Sequence, residues 1–161
     1  NHPNPFPMKE QFQSTQTLYY ALVGGPLMMG LLLVIFGPKR TTNLNPNMII
    51  PAAIGMIVLM SVSMSVILYR MRLKNVQTST AMGLEEKITA FRSNSIMRWA
   101  LLEGAALCSI ILYFLEGNYL YLIYYCVPIV VLIMARPTID GFIRDYQLNH
   151  EQEQQFRAVI R

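Results

Sequence analysis

Charge is what this sequence has least of. Only 14% of its 161 residues are Asp, Glu, Lys or Arg, against about a quarter in an ordinary water-soluble domain. The shortage falls in blocks. Four long apolar stretches, 18–36, 48–69, 96–115 and 119–135, alternate with polar or basic segments, and Glu103 is the only formally charged side chain well inside any of them. That pattern predicts membrane spans and not a water-soluble core. Histidine and cysteine are also scarce, at two each. His2 and His150 sit in polar ends away from any ligand cluster, so no metal site is expected. Cys108 and Cys126 lie in separate apolar stretches, which excludes a disulfide framework and predicts small buried packing residues. Gly24 and Gly25 are followed by Pro26 without the Lys or Ser of a phosphate loop. Paired histidines, a serine nucleophile elbow and a Cys–His pair are missing too. These absences point to a non-catalytic chain without a cofactor. The net charge of +4 does not imply nucleic acid. The basic residues border the apolar blocks, where lipid headgroups and membrane orientation account for them.

What is there reads as an all-α chain of four transmembrane helices in two antiparallel hairpins, with amphipathic cytoplasmic helices in the middle loop and the C-terminal tail. Residues 1–14 read as a flexible N-terminal tail. Three prolines in NHPNPFP oppose a helix start, and Met8 reads as an initiator after either non-native residues or a native extension. Residues 15–148 form the membrane domain, and 149–161 a polar tail. The first apolar block lacks a basic leader and a small-residue cleavage site, so it reads as a span. Thr15 or Thr17 could cap it, Tyr19 and Tyr20 suit an interfacial belt, and Gly24, Gly25 and Pro26 predict a kink or close helix contact. The Asn-, Thr- and Pro-rich linker to Asn47 reads as a turn or short loop.

The second span carries Ser61 and Ser65 on one face, and Met56, Met60 and Met64 on another. A thioether stripe could hold soft copper, but without His or Cys beside it flexible packing is the simpler reading. Between 70 and 98 the chain turns basic, and Leu84, Ile88 and Phe91 recur at helical spacing. This predicts an amphipathic helix capped near Thr80 that lies on the headgroups. Arg70, Arg72, Lys74, Arg92, Arg98 and Arg136 are the expected headgroup contacts. Trp99 beside Arg98 suits an interface anchor, and the short turn 116–118 folds spans three and four together. Pro128 predicts a bend. Thr138 caps a surface helix over 138–148, on which Asp140 and Asp145 read as the solvated face. The Lys and Arg bias puts both termini and the middle loop on the cytoplasmic side, with Lys39 and Arg40 as a partial violation.

Glu103 is the sharpest candidate. A charged residue at the centre of a span costs roughly 2.5–3.5 kcal/mol on insertion scales, less when shallower. Gly104, Ala105 and Ala106 would let another helix approach, so that Ser61, Ser65 or Tyr69 could bond the carboxyl. Either Glu103 fixes helix packing, protonated or hydrogen-bonded, or it binds and releases a proton or cation. The first reading makes the chain a small subunit or accessory protein of a membrane complex, partnered by lipid and by another protein or a second copy. The second makes it an ion-handling protein.

The region from Glu86 to Leu148, through RWALLEGAAL, EGNYLYL and ARPTIDGFIRDYQL, resembles a group of uncharacterised small membrane proteins of Bacteroidota. That resemblance implies a bacterial inner membrane and no particular activity. The stretch LLEGAALCSIILYFL is also similar to the carboxylate helix of rotary ATPase proteolipid subunits, which implies ion binding at Glu103. The glycine-rich partner helix of those rings has no counterpart here, and the polar loop is far longer.

Overall fold

A computed structural model describes residues 5–37, 48–78 and 82–160. The elements among them are all helical: α1 (Pro5–Phe36), α2 (Ile49–Thr78), α3 (Leu84–Glu116), α4 (Leu120–Met134), α5 (Ile139–Asp145) and α6 (His150–Ile160). Three segments are long and apolar enough to cross a membrane, Lys9–Phe36, Ile49–Thr78 and Leu84–Glu116, and a fourth is gained if α4 and α5 count as one span bent by 81°. At 15 residues, α4 alone is about 22 Å long, short of the ~30 Å hydrocarbon core.

α4 stops where its sequence demands. Pro137 biases Arg136 away from helical backbone and offers no N–H to the preceding turn. The chain then restarts at Thr138, whose Oγ1 accepts from the Gly141 N–H at 3.1 Å, the cap expected of it. At the opposite end of the bundle, Gly117 closes α3 in the left-handed region at φ 69°, and its N–H donates to the Tyr113 carbonyl at 2.8 Å. Only glycine takes that conformation without strain.

α3 is the hub. It packs against α1, α2 and α4, whereas α1 and α2 hardly touch each other among the described residues. The first pair of helices therefore shares a partner instead of forming its own interface. The buried side chains fall into three layers along the bundle. The first holds Phe12, Val76, Ile88, Phe91, Phe142, Tyr146 and Phe156. The second holds Tyr19, Trp99, Leu102 and Leu132. The third holds Ala106, Ile110, Tyr113, Tyr121, Tyr125 and Ile129.

The first layer is a collar built by extensions of α1, α2 and α3 together with α5 and α6. It revises two boundaries. Residues 5–14 are helical and not a loose tail, because α1 begins at Pro5. Proline is tolerated in a first turn, where its missing N–H has no helical partner anyway. Phe12 and Thr15 are buried, and Thr15 donates to the Gln11 carbonyl at 2.7 Å instead of capping a helix. Residues 150–160 likewise form α6, whose Phe156 meets Phe12 edge-on at 5.4 Å. The basic middle segment is mostly the ends of α2 and α3. The Glu86 carboxylate accepts from the Gly83 N–H at 3.2 Å at the α3 start. The cap expected at Thr80 and the 38–47 linker lie outside the described residues.

Deeper in the bundle, polar tips meet backbone carbonyls. The Tyr19 hydroxyl donates to the carbonyls of Leu132 and Ile133, both at 3.2 Å, and the Trp99 indole N–H to that of Ala135 at 3.2 Å. The last carbonyls of a helix lack intrahelical donors, so α1 and α3 complete the end of α4. Trp99, 1% exposed, is thus a packing anchor inside the bundle and not a lipid-facing one. Tyr125 donates to the Pro26 carbonyl at 2.8 Å, and its ring crosses Gly30 where a side chain would collide. Among the described residues, the glycines closely approached by a side chain of another helix are Gly30 and Gly55, which lies under Tyr124. Gly24, Gly25 and Gly104 have open space beside them.

Outward faces are apolar. Met56, Met60 and Met64 are exposed, as are Leu59, Ile67 and Met28. Cys108 and Cys126 are exposed as well, contrary to the buried packing expected of them. Where lipid is the solvent, small apolar residues have no need of the interior.

Candidate functional site

Glu103 lies four residues beyond Trp99 on α3, about 6 Å further along the axis. It is half-buried. The three groups expected to meet it do not. Ser65 is fully buried but donates to the Val62 carbonyl of its own helix at 2.7 Å. Tyr69 donates to Asp145 Oδ2 at 3.1 Å. Ser61 is half-buried. Among the described residues, Glu103 makes no hydrogen bond or ion pair. Ala105 and Ala106 are buried, but exposed Gly104 faces open space and admits no helix.

A different constellation gathers where α4 breaks into α5. A cavity of about 270 Å³ is lined by Tyr69 of α2, Ser95, Arg98 and Trp99 of α3, the 134–138 connection, and Arg144 and Asp145 of α5. The helix break aims α5 back across α2 and α3, which is what brings Asp145 to Tyr69. Arg98 stacks over the Tyr69 ring with its guanidinium carbon 5.0 Å from the ring centre. Its Nε is buried without an acceptor among the described residues. Arg136 donates to the Tyr20 hydroxyl at 3.0 Å, its guanidinium 6.0 Å from that ring. Arg144 Nε meets Asp145 Oδ1 at 3.2 Å.

Sequence reasoning therefore selected Tyr69, Arg98 and Arg136, but for separate roles, and missed Asp145 and Arg144. The two carboxylates of α5 part company. The Asp140 side chain is 87% exposed, as a solvated face requires, whereas that of Asp145 is 28% exposed. Arg136-Pro137 marks the break locally, but where α5 then lies, and so which carboxylate it buries, is set by tertiary packing. Arg70, Arg72 and Lys74 are exposed on the α2 extension and Arg92 is half-buried on α3. Below the cavity, Tyr146 is buried in the collar and accepts from the Asn94 amide at 3.0 Å. Burial pushes the Tyr146 phenol up to about 12, with the Asp145 charge adding and the Asn94 donor opposing.

No protein-family model, curated protein or solved structure matches the chain.

Proposed function

We propose that this chain is a non-catalytic multi-pass membrane protein that serves as a small subunit or accessory protein of a membrane complex. In this reading it sits in a bacterial inner membrane with the collar and both termini cytoplasmic, as the basic bias of the collar helices supports. One observation carries it. Within their most apolar windows, α1 and α2 bury only 17% of their residues, against 39% for α3. Each packs on α3 along one side and keeps a long apolar flank for lipid, a partner helix or a second copy. Extraction into native-lipid polymer discs followed by mass measurement tests this. The chain should run in an assembly of fixed stoichiometry. A single copy surrounded only by lipid, in discs that keep known complexes intact, would contradict the reading.

A second reading, in which Glu103 binds a proton or cation, is favoured by its half-buried carboxylate with no hydrogen bond or ion pair among the described residues. An intramembrane carboxylate without a partner is costly, and such residues mark proton and ion pathways. Glu103→Gln keeps the shape and cannot ionise. Proton flux in sealed vesicles that vanishes in this variant, with folding intact, supports ion handling. Equal flux in both chains removes it.

A further inference from the structure

We infer that the cavity between Arg98 and Arg136 is a binding site for a phosphate group, borne by an anionic lipid headgroup or by a small free anion. The inference goes beyond the accessory role and does not depend on it.

The charges decide the ligand. Three guanidiniums, Arg98, Arg136 and Arg144, and one carboxylate, Asp145, line the same space. Asp145 is already engaged on both oxygens, Oδ1 with Arg144 and Oδ2 with Tyr69. Arg98 and Arg136 have no acidic partner within ion-pair reach among the described residues. Arg98 is the more telling of the two. Its Nε is sealed among protein atoms and its face is held by the Tyr69 ring, so the guanidinium is fixed in place at the cavity wall and meets a ligand through its terminal nitrogens. The planar fork of arginine matches phosphate oxygens. Thr138, at the rim, uses its oxygen to accept from Gly141 and keeps its own proton to donate.

Position and size agree. The cavity lies where α4 ends and the apolar part of the bundle gives way to the collar, the level at which lipid phosphates sit. Its volume of about 270 Å³ is roughly that of nine waters, ample for one phosphate and too small for a folded partner.

The test uses the full chain in detergent, observed by native mass spectrometry. One arm adds phosphatidylglycerol or phosphatidylcholine, and the other adds inorganic phosphate without lipid. One phosphatidylglycerol per chain should be retained in preference to phosphatidylcholine, or one phosphate should bind. Phosphatidylglycerol that inorganic phosphate cannot displace identifies the lipid headgroup as the source, and ready displacement identifies the free anion. Arg98→Gln and Arg136→Gln should each weaken binding about tenfold, the loss of one charged hydrogen-bonding group. Arg157→Gln, which removes an exposed arginine already paired with Asp140 and Glu153, should change it little. If Arg98→Gln does not fold, Arg136→Gln decides alone, because Arg136 is exposed and its removal spares the packing. Equal retention of both lipids without phosphate binding overturns the inference. So does wild-type affinity in Arg136→Gln, or an equal loss in Arg157→Gln.

Discussion

Arg98 rests on the face of Tyr69, 5.0 Å from its ring centre, and the hydroxyl of the same Tyr69 donates to Asp145 at 3.1 Å. One side chain thus couples α2 to α3 through its ring and to α5 through its oxygen. Tyr69→Phe keeps the first contact and deletes the second. We expect it to cost about 1–3 kcal/mol, a hydrogen bond to a charged group. Combined with Asp145→Asn, the two losses should be less than additive, because both remove one interaction. Unfolding of the single and double variants in one detergent measures this, and strict additivity would separate the pair.

The glycines divide by what lies above them. Gly30→Ala places a methyl group where the Tyr125 ring now sits. The ring would have to leave its bond to the Pro26 carbonyl, so a loss of about 1–3 kcal/mol is expected. Gly104→Ala meets nothing within 4 Å and should be neutral or stabilising by about 0.5–1 kcal/mol. Thermal melts of the two variants should move in opposite directions, or Gly104→Ala should leave the melt in place.

The collar is held together by a cluster of aromatic side chains from α1, α3, α5 and α6. Phe156 is 1% exposed and contacts both Phe12 and Phe142. Phe156→Ala should cost about 3–5 kcal/mol and free α6 to proteolysis, leaving the spans intact. Limited trypsin digestion reads this directly at Arg157.

Tyr146 gives the collar an alkaline limit. Its phenol is held up to about 12 by burial, against about 10 in an unfolded chain. Between those values the unfolded chain has lost the proton and the folded one keeps it. Stability is therefore complete below pH ~10 and falls as pH rises, by about 1.4 kcal/mol per unit, until the folded pKa is reached. Tyr146→Phe should flatten that slope, whatever its effect at neutral pH. Denaturation midpoints taken from pH 9 to ~11.5 test it, and identical slopes would contradict the assignment.

How far the sequence can be read follows from which force places each residue. Hydropathy located α2 and α3, because in lipid the apolar run itself selects the span. It said little about who faces whom. Cys108, Met56 and Gly104 suited an interior and lie outside, since a bilayer removes the contrast between core and surface. Trp99 suited an interface and is buried, because the end of α4 offers it the Ala135 carbonyl. Helical spacing of Leu84, Ile88 and Phe91 revealed an apolar face. What covers that face comes from Phe12, Phe142 and Phe156, far apart in the chain and joined only by tertiary packing. The arginine cavity was illegible for the same reason. Arg98, Arg136 and Asp145 meet because α4 breaks at Pro137 and α5 turns by 81°, an angle no local pattern encodes.

The central claim, that lipid solvates the outer faces of α3 and α4, is tested by the two native thiols. Cys108 and Cys126 are exposed in those helices, so each can carry a nitroxide spin label without new cysteines, after Cys→Ser at the other. In reconstituted bilayers, both labels should collide frequently with dissolved oxygen, which concentrates in hydrocarbon, and rarely with a water-soluble nickel chelate. Ready collision with the nickel chelate at both positions would place these faces in water and contradict the account.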